Sequence, residues 1–301
     1  FTGATASGTT DQISISDADN VTGLAGVEDY VLADGSQTFT LGAEGQNVTT
    51  DGSGGGLITI DTGTLTAVSG TFADGGTDTI ALNVETTANI SSAVTTDVDT
   101  IDLVSSVDAT MTISQHNKLD TVAGGNTVTL SDAGTVTGDA DVDSFVLADV
   151  GEGVSGSTII IGDEGQNVTT GNGADTIDVG TRTATGIFTT SATSTIKLSD
   201  GADITGVDAA GVGAGTTIAA NNLTLFDGAS VTMTAAQNDS FGGTITAAGN
   251  ETITLSDAVS ATGRANIEAY ALADGDQTFT LGAASQNVTT GSGAVVIDTG
   301  A

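Results

Sequence analysis

Apolar and polar residues alternate in short stretches along the whole chain. Ile13-Ser14-Ile15, Thr38-Phe39-Thr40-Leu41 and Leu57-Ile58-Thr59-Ile60 are three examples. A period of two predicts strands with one buried face. The best helical candidates, Leu24 to Val31 and Ala265 to Leu272, allow one or two helical turns each. The pattern therefore predicts an all-β fold.

Strands of the Thr-Ile-x-Leu type recur at short intervals. They begin at Thr79, Thr100 and Thr127 and again at Thr195, Asn222 and Thr252, so neighbours within each group are 21 to 30 residues apart. Such intervals are typical of the coils of a parallel β-helix, in which successive turns stack at about 4.8 Å. We predict a parallel β-solenoid with irregular rungs of 20–30 residues.

The sequence Gln-Asn-Val-Thr-Thr occurs three times, at Gln46, Gln166 and Gln286, with a spacing of 120 residues. A repeat of this length predicts units that bury their apolar edges on their neighbours. We divide the chain into residues 1–63 with a partial first copy, and residues 64–181 and 182–301 with intervening rungs and one copy each. Tandem β-sandwich modules of roughly 100 residues are the alternative, since this period suits them as well.

The composition suits a continuous β ladder. The chain has 43 Gly and neither Pro nor Trp. Glycine supplies corners with positive φ, whereas proline removes a hydrogen-bond donor from the ladder.

The formal charge is −34, with 38 Asp and Glu against 4 Lys and Arg. A binder of phosphates needs clustered cations, so nucleic acid and anionic membranes are excluded and cations are favoured as partners. Only seven of the acids are Glu. Asp with Gly is typical of tight turns and of oxygen-ligand metal loops, although adaptation of the surface to salt is an alternative.

The chain has no cysteine, which excludes disulfides and thiolate metal sites. No apolar run approaches the roughly 18 residues needed to span a bilayer, and no basic and apolar leader begins at Phe1. We expect a soluble chain without membrane insertion.

Residues 171–178 read Gly-Asn-Gly-Ala-Asp-Thr-Ile-Asp, the order found in calcium-binding nonapeptides. This octet resembles the repeats-in-toxin proteins, and the resemblance implies calcium held by turn carbonyls and carboxylates. With weaker copies elsewhere, the implied metal ligands are Gly171, Gly173, Asp175, Asp178, Asp61, Asp78 and Asp298. That family stacks its nonapeptides in tandem, and this chain does not. The alternative is that these aspartates bond only to the backbone of their own turns.

Two Asp-Thr-Gly tripeptides, at Asp61 and Asp298, look like the paired signature of aspartic proteases. The repeat also carries Asp178-Val179-Gly180 at the related position, and copies many rungs apart cannot share a proton. The single histidine, His116, is expected in a solvated loop. We predict no enzymatic activity.

The Thr-x-x-Leu-Ser-Asp strands at Thr127, Thr195 and Thr252, and Thr-Met-Thr-x-x-Gln at Thr110 and Thr232, make the chain similar to large secreted bacterial surface proteins. These include surface-layer subunits and repeat adhesins. The resemblance implies an extracellular, non-enzymatic structural protein that self-assembles into a layer, sheath or filament stabilised by divalent cations. The alternative is the rod segment of a calcium-dependent adhesin. Further copies of the chain are the implied partner, with a cell-surface polysaccharide as a second candidate.

Overall fold

The structure is a computed structural model that describes residues 11–33, 35–52, 54–151, 155–208, 218 and 222–300. Its parallel strands wind as a β-solenoid of about 14 turns, so the predicted fold is confirmed and the tandem-sandwich alternative is wrong. By its internal contacts the chain divides into two compact units, residues 1–132 and 133–301. The three sequence segments defined by the repeat stay a prediction.

The first unit places β1-β3-β5-β7 in one sheet, β12-β10-β8-β6-β4-β2 in a second, and β9, β11 and β13 side by side in a third. Successive strands of the chain alternate between sheets, because each turn contributes one strand to each of two sheets. The strands are β1 (Gln12–Ser14), β2 (Val21–Thr22), β3 (Asp29–Leu32), β4 (Gln37–Thr40), β5 (Asn47–Thr50), β6 (Leu57–Asp61), β7 (Phe72–Ala73), β8 (Thr79–Val84), β9 (Ala88–Asn89), β10 (Thr100–Leu103), β11 (Ala109–Met111), β12 (Leu119–Val122) and β13 (Thr127–Leu130).

The second unit is organised similarly, except that the consecutive described strands β20 and β21 pair in one sheet. Its sheets are β14-β16-β18-β20-β21-β23, β22-β24-β26-β28 and β25-β27-β29, with β15, β17 and β19 side by side. The strands are β14 (Thr135–Thr137), β15 (Ser144–Val146), β16 (Ser155–Ile160), β17 (Asn167–Thr169), β18 (Ala174–Gly180), β19 (Phe188–Thr189), β20 (Thr195–Leu198), β21 (Asn222–Leu225), β22 (Ser230–Met233), β23 (Ile245–Thr246), β24 (Thr252–Leu255), β25 (Ala261–Thr262), β26 (Ala269–Ala271), β27 (Gln277–Thr280), β28 (Asn287–Thr289) and β29 (Val295–Asp298).

The turns vary in length, as predicted, but some are shorter than 20 residues. Gln12 pairs with Asp29, which makes a turn of 17 residues. Thr195 pairs with Asn222, which makes one of 27. All six predicted Thr-Ile-x-Leu strands are present, although β13 lies in a different sheet from β8 and β10.

The core consists of in-register ladders of apolar side chains. In the first unit Phe39 pairs with Ile60, which pairs with Leu82, and all three are 0% exposed. In the second unit Ile159, Ile177 and Ile196 form an equivalent buried ladder. Each such side chain contributes about 1.5–3 kcal/mol by leaving water. The alternation seen in the sequence is thus the alternation of core and surface.

The two helices begin where the Thr-Met-Thr-x-x-Gln motifs end a strand. These are α1 (Ile113–His116) and α2 (Ala235–Ser240), and each opens with a capping box, formed by Thr112 with Gln115 and by Thr234 with Gln237. His116 is buried in α1, so the predicted solvated loop is wrong.

The two helical candidates of the sequence are also wrong. Leu24 to Val31 forms a turn closed by Val27 N–H on Leu24 O and continues into β3, and Ala265 to Leu272 continues into β26. No helix in the described ranges is long and apolar enough to cross a membrane.

Candidate functional site

The predicted calcium octet forms a turn that leads into β18. Asp175 is 0% exposed there, and both of its carboxylate oxygens accept backbone hydrogen bonds. Ser157 N–H of the preceding turn donates to Oδ1 at 2.6 Å, and Gly171 N–H donates to Oδ2 at 2.8 Å. Gly173 is buried in the same turn. The carboxylate therefore joins two turns of the solenoid.

Asp178 lies on β18 and forms an ion pair with Lys197 on β20. Lys197 Nζ is 2.7 Å from Asp178 Oδ2, and Gly180 N–H donates to Oδ1 at 3.0 Å. The ammonium also lies 4.7 Å from the centre of the exposed Phe226 ring, within reach of a cation–π interaction. This Asp178 carboxylate already has a cation beside it.

Asp61 and Asp298 end the outward rows of β6 and β29. Asp61 Oδ1 accepts a hydrogen bond from Asn83 Nδ2 at 3.0 Å, and Asp298 Oδ1 accepts one from Gly300 N–H at 3.0 Å. Neither residue is fully buried. Both are single carboxylates on the solenoid surface, each with one donor.

Asp78 differs from the other predicted ligands. It directly precedes β8, whereas Asp175 is the second residue of β18, and its Oδ1 accepts the equivalent hydrogen bond from Gly56 N–H at 2.8 Å. Its Oδ2, however, is buried and has no hydrogen-bond partner among the described residues. A carboxylate oxygen of this kind is costly unless a proton or a cation accompanies it.

The two turns differ four residues before the aspartate. Position 171 is a glycine whose N–H reaches Asp175, whereas the corresponding position before Asp78 is Asp74. The Asp74 carboxylate instead accepts from Gly76 N–H at 2.8 Å and from the Thr50 hydroxyl at 2.9 Å. These hydrogen bonds, with that of Gly76 the largest, hold the pKa of Asp74 below its usual value.

The structure keeps four predicted ligands in one turn and places the other three, Asp61, Asp78 and Asp298, in separate turns. Within the part of the chain that the structure describes, no three Asp, Glu or His side chains come together as a metal-binding group. A calcium ion at any of these turns would need most of its six to eight oxygens from carbonyls and water. Calcium binding stays a prediction, and Asp78 is the position that fits it best.

Aspartate has a recurrent structural role that differs from the bonding within its own turn considered above. Many aspartates accept a hydrogen bond from a backbone N–H of the adjacent turn rather than of their own. A short side chain suits a neighbour about 4.8 Å away and loses little rotamer freedom. Examples, written acceptor first, are Asp99 with Ile80, Asp102 with Thr121, Asp108 with Thr127, Asp132 with Ile113, Asp200 with Ser230, Asp257 with Ala235, Asp274 with Ser292 and Asp276 with Ala294.

The repeated glutamine of Gln-Asn-Val-Thr-Thr was not predicted to have a role. Gln166 Oε1 accepts from Gly162 N–H at 2.7 Å and from the following N–H at 3.2 Å. Its Nε2 donates to the carbonyls of Asp139 and Val142 in the turn before. Gln46 and Gln286 make the same four contacts.

We call Gln46, Gln166 and Gln286 the bridging glutamines. Gln115 and Gln237 of the helical capping boxes reach back to the preceding turn in the same way, Gln115 to Ile90 and Ala93, Gln237 to Ile204. The 120-residue spacing of an amide side chain just after a Gly-containing turn was the signal for this role. The most repeated residue of the sequence is therefore part of the scaffold.

Glycines and aromatic residues of the repeat have matching roles. A Cβ on Gly42, Gly162 or Gly282 would lie 1.8 to 2.0 Å from the carbonyl oxygen of a glycine one turn earlier, so only glycine fits. Tyr30 packs on Phe39 with ring centroids 4.6 Å apart, and Tyr270 packs on Phe279 at 4.8 Å. Burial raises the pKa of the Tyr270 hydroxyl.

The described surface has shallow recesses. One of about 330 Å³ follows the outward face of the second sheet and is lined by Thr59, Asn83, Asp102 and Thr121. Another, of about 310 Å³, lies beside Lys118, whose ammonium donates to the carbonyls of Thr95, Thr96 and Val98. These lysine contacts satisfy three carbonyls of the preceding turn.

Comparison with protein-family models, with curated proteins and with solved structures finds no match to this chain. Its function is therefore argued from its own residues.

Proposed function

We propose that this chain is a non-enzymatic, extracellular structural protein that self-assembles into a layer, sheath or filament with the help of divalent cations. The observation that carries the proposal is the use of the repeated residues. Gln46 and Gln166 are buried, Gln286 is half-buried, and all three hold one turn to the next. A sequence that repeats its scaffold residues favours a function based on length and stiffness.

Cations assist this assembly by reducing the repulsion between negatively charged copies of the chain. At −34, two copies repel each other, and the repulsion extends over roughly 10 Å in 0.1 M salt. Calcium bound at acidic turns reduces this repulsion and stabilises the folded state by mass action, about 1.4 kcal/mol per ion at tenfold excess over its dissociation constant. Asp78, with its second carboxylate oxygen buried and without a described partner, is the candidate ligand we favour.

Negative-stain microscopy with sedimentation tests the assembly. We expect polymers that grow with protein concentration in millimolar calcium and dissolve when a chelator is added. Isolated particles at every concentration, with and without calcium, would exclude self-assembly.

The calcium part is tested separately by melting. We expect calcium to raise the melting temperature of the native chain and of Asp175→Asn, but less that of Asp78→Asn. Asp175→Asn is the matched control, because it removes the same charge from the equivalent turn, where both carboxylate oxygens already accept hydrogen bonds. An equal response of all three proteins would exclude Asp78 as a ligand.

The rod segment of a calcium-dependent repeat adhesin is the second candidate. It is favoured by the same turn-to-turn bridges, since a stiff spacer needs them as much as a polymer does. A cell-surface polysaccharide is a candidate partner for this reading, and the recess with Thr59, Asn83 and Asp102 offers it hydroxyl, amide and carboxylate groups. Isolated rods in calcium that bind a glycan array would favour the adhesin.

A further inference from the structure

One sheet of the second unit has an outward face without any ionisable side chain. The sheet is β22-β24-β26-β28. Its outward residues, which we call the neutral face, are Ser230, Thr232, Thr252, Thr254, Ala269, Ala271, Asn287 and Thr289. All of them are at least partly exposed, whereas the alternate residues Val231, Ile253 and Tyr270 are buried below.

The neutral face is regular. Thr232 pairs with Thr254, Thr254 with Ala271, and Ala271 with Thr289, so these side chains form one row across four strands. Within this row, the side chains of neighbouring strands are about 4.8 Å apart. Because β26 carries only alanines outward, a shallow furrow separates the threonines of β24 from Asn287 and Thr289 of β28.

Carboxylates surround the neutral face. Asp200 and Glu268 lie in turns that precede its strands, and Asp257 and Asp274 lie in turns that follow them. Beyond β22 the next turn brings Asp203 beside Thr232. The chain has a net charge of −34. A regular uncharged patch bounded by acids is therefore a surface that another acidic molecule can contact without bringing like charges together.

We propose that the neutral face is the contact surface for the same face of a second copy of this chain. A basic partner would be drawn to the acidic turns, and an acidic partner would be repelled by them, so a charge-free face suits a partner of the same kind. A second copy also presents side chains at the same spacing, so its threonines fit over the alanines of β26. Contact between two such faces places no carboxylate within the contact itself, only at its rim.

This inference rests on the proposed self-assembly and identifies its surface. Four turns at about 4.8 Å give a patch far below the roughly 800 Å² per partner of a stable dimer, so each contact is weak and becomes effective by repetition in a polymer. The acids at its rim approach one another when two copies meet. Salt or divalent cations therefore promote the contact by screening the rim.

The test compares one added charge at two places. Thr254→Asp puts a carboxylate at the centre of the neutral face. Thr195→Asp changes the net charge equally on β20, whose sheet already carries Asp178 and Lys197 outward. The concentration at which the native chain and both variants associate in millimolar calcium is measured by light scattering and sedimentation velocity, with circular dichroism to verify folding.

We expect Thr254→Asp to raise that concentration by about tenfold or more and Thr195→Asp to leave it nearly unchanged, because like charges brought face to face are strongly unfavourable. Thr254→Lys is the second variant. It lowers the net negative charge, yet it should also weaken association, whereas it would strengthen an association limited by net charge alone. If the native chain associates and the three variants associate equally well, the neutral face is not the contact and self-assembly stands. If the native chain does not associate at any concentration, both proposals fall.

Discussion

Asp175 Oδ1 accepts a hydrogen bond from the backbone N–H of Ser157 at 2.6 Å, across two stacked turns and with no exposure to solvent. Asp175, in the octet that best matches a calcium motif, thus also connects two turns of the solenoid by a hydrogen bond. The same residue type at the same motif position has its second oxygen bonded at Asp175, whereas that of Asp78 has no donor among the described residues.

Replacing Asp175 by Asn should destabilise the fold by about 2–3 kcal/mol, because an amide cannot accept from both N–H groups and leaves one buried donor facing another. Urea denaturation measures the loss. Asp163→Asn, an exposed residue of the preceding turn, is the control and should change the free energy of unfolding little. Equal effects of the two changes would contradict the structural role of Asp175.

Replacing Gln166 by Glu should cost about 2–4 kcal/mol, since a carboxylate oxygen would then face the carbonyls of Asp139 and Val142 that the amide now satisfies. Gln12→Glu makes the same chemical change at an exposed strand position and serves as the matched control. Stability of both variants is read from denaturation midpoints. If Gln166→Glu were as stable as Gln12→Glu, the hydrogen bonds of Gln166 would not be important for stability.

Replacing Gly162 by Ala should cost about 3 kcal/mol or more, because its Cβ would lie 1.9 Å from the carbonyl oxygen of Gly138 and the two turns would have to separate. Gly165→Ala, three residues later, meets no atom within 4 Å and should be neutral or slightly stabilising. Thermal melts of the two variants give the comparison. Similar melts would show that the turns are not packed this closely.

Acid should destabilise the fold through its turn aspartates. Hydrogen bonds from Gly76 and Ser292 lower the pKa values of Asp74 and Asp274 in the folded state. A lowered folded pKa means that the stabilisation is complete above the unfolded value of about 3.9 and is lost as pH falls through the folded value. Urea midpoints should be constant from about pH 7 to 5 and fall below about pH 4.

The variant with Asp74→Asn and Asp274→Asn isolates this contribution, because the general effect of protonating the other carboxylates is nearly the same in both proteins. Its midpoint should fall less steeply with acid than that of the native chain. Parallel acid profiles would assign the acid sensitivity to other groups.

The fold was predictable from the sequence because a solenoid turn is encoded locally. Alternation in strands such as Leu57–Asp61 and the recurrence of Thr-Ile-x-Leu predict parallel stacking, and the structure has it. The capping boxes at Thr112 and Thr234 are also visible in the sequence as Thr-x-x-Gln. The burial of His116 follows from α1 and was missed with it.

The roles of the site residues were less predictable, because they depend on which turn lies beside which. Asp175 and Asp78 share the Asp-Thr-Ile sequence, but the turns before them, residues 171–174 and 74–77, differ. Among the described residues both oxygens of Asp175 have hydrogen-bond donors, whereas Oδ2 of Asp78 has none. The neutral face was hidden for a similar reason. Its members come from four stretches separated by about twenty residues, and only the strand register assembles them.

The bridging glutamines also set an order of events. Gln46 satisfies carbonyls of residues 24 and 27, and Gln286 those of residues 264 and 267, so each turn keeps bare acceptors until the chain that follows it arrives. During synthesis, a winding can therefore settle only after the ribosome has delivered roughly twenty residues more, at about 5–20 residues per second. Folding of this chain should advance from its beginning with a lag of one winding behind translation.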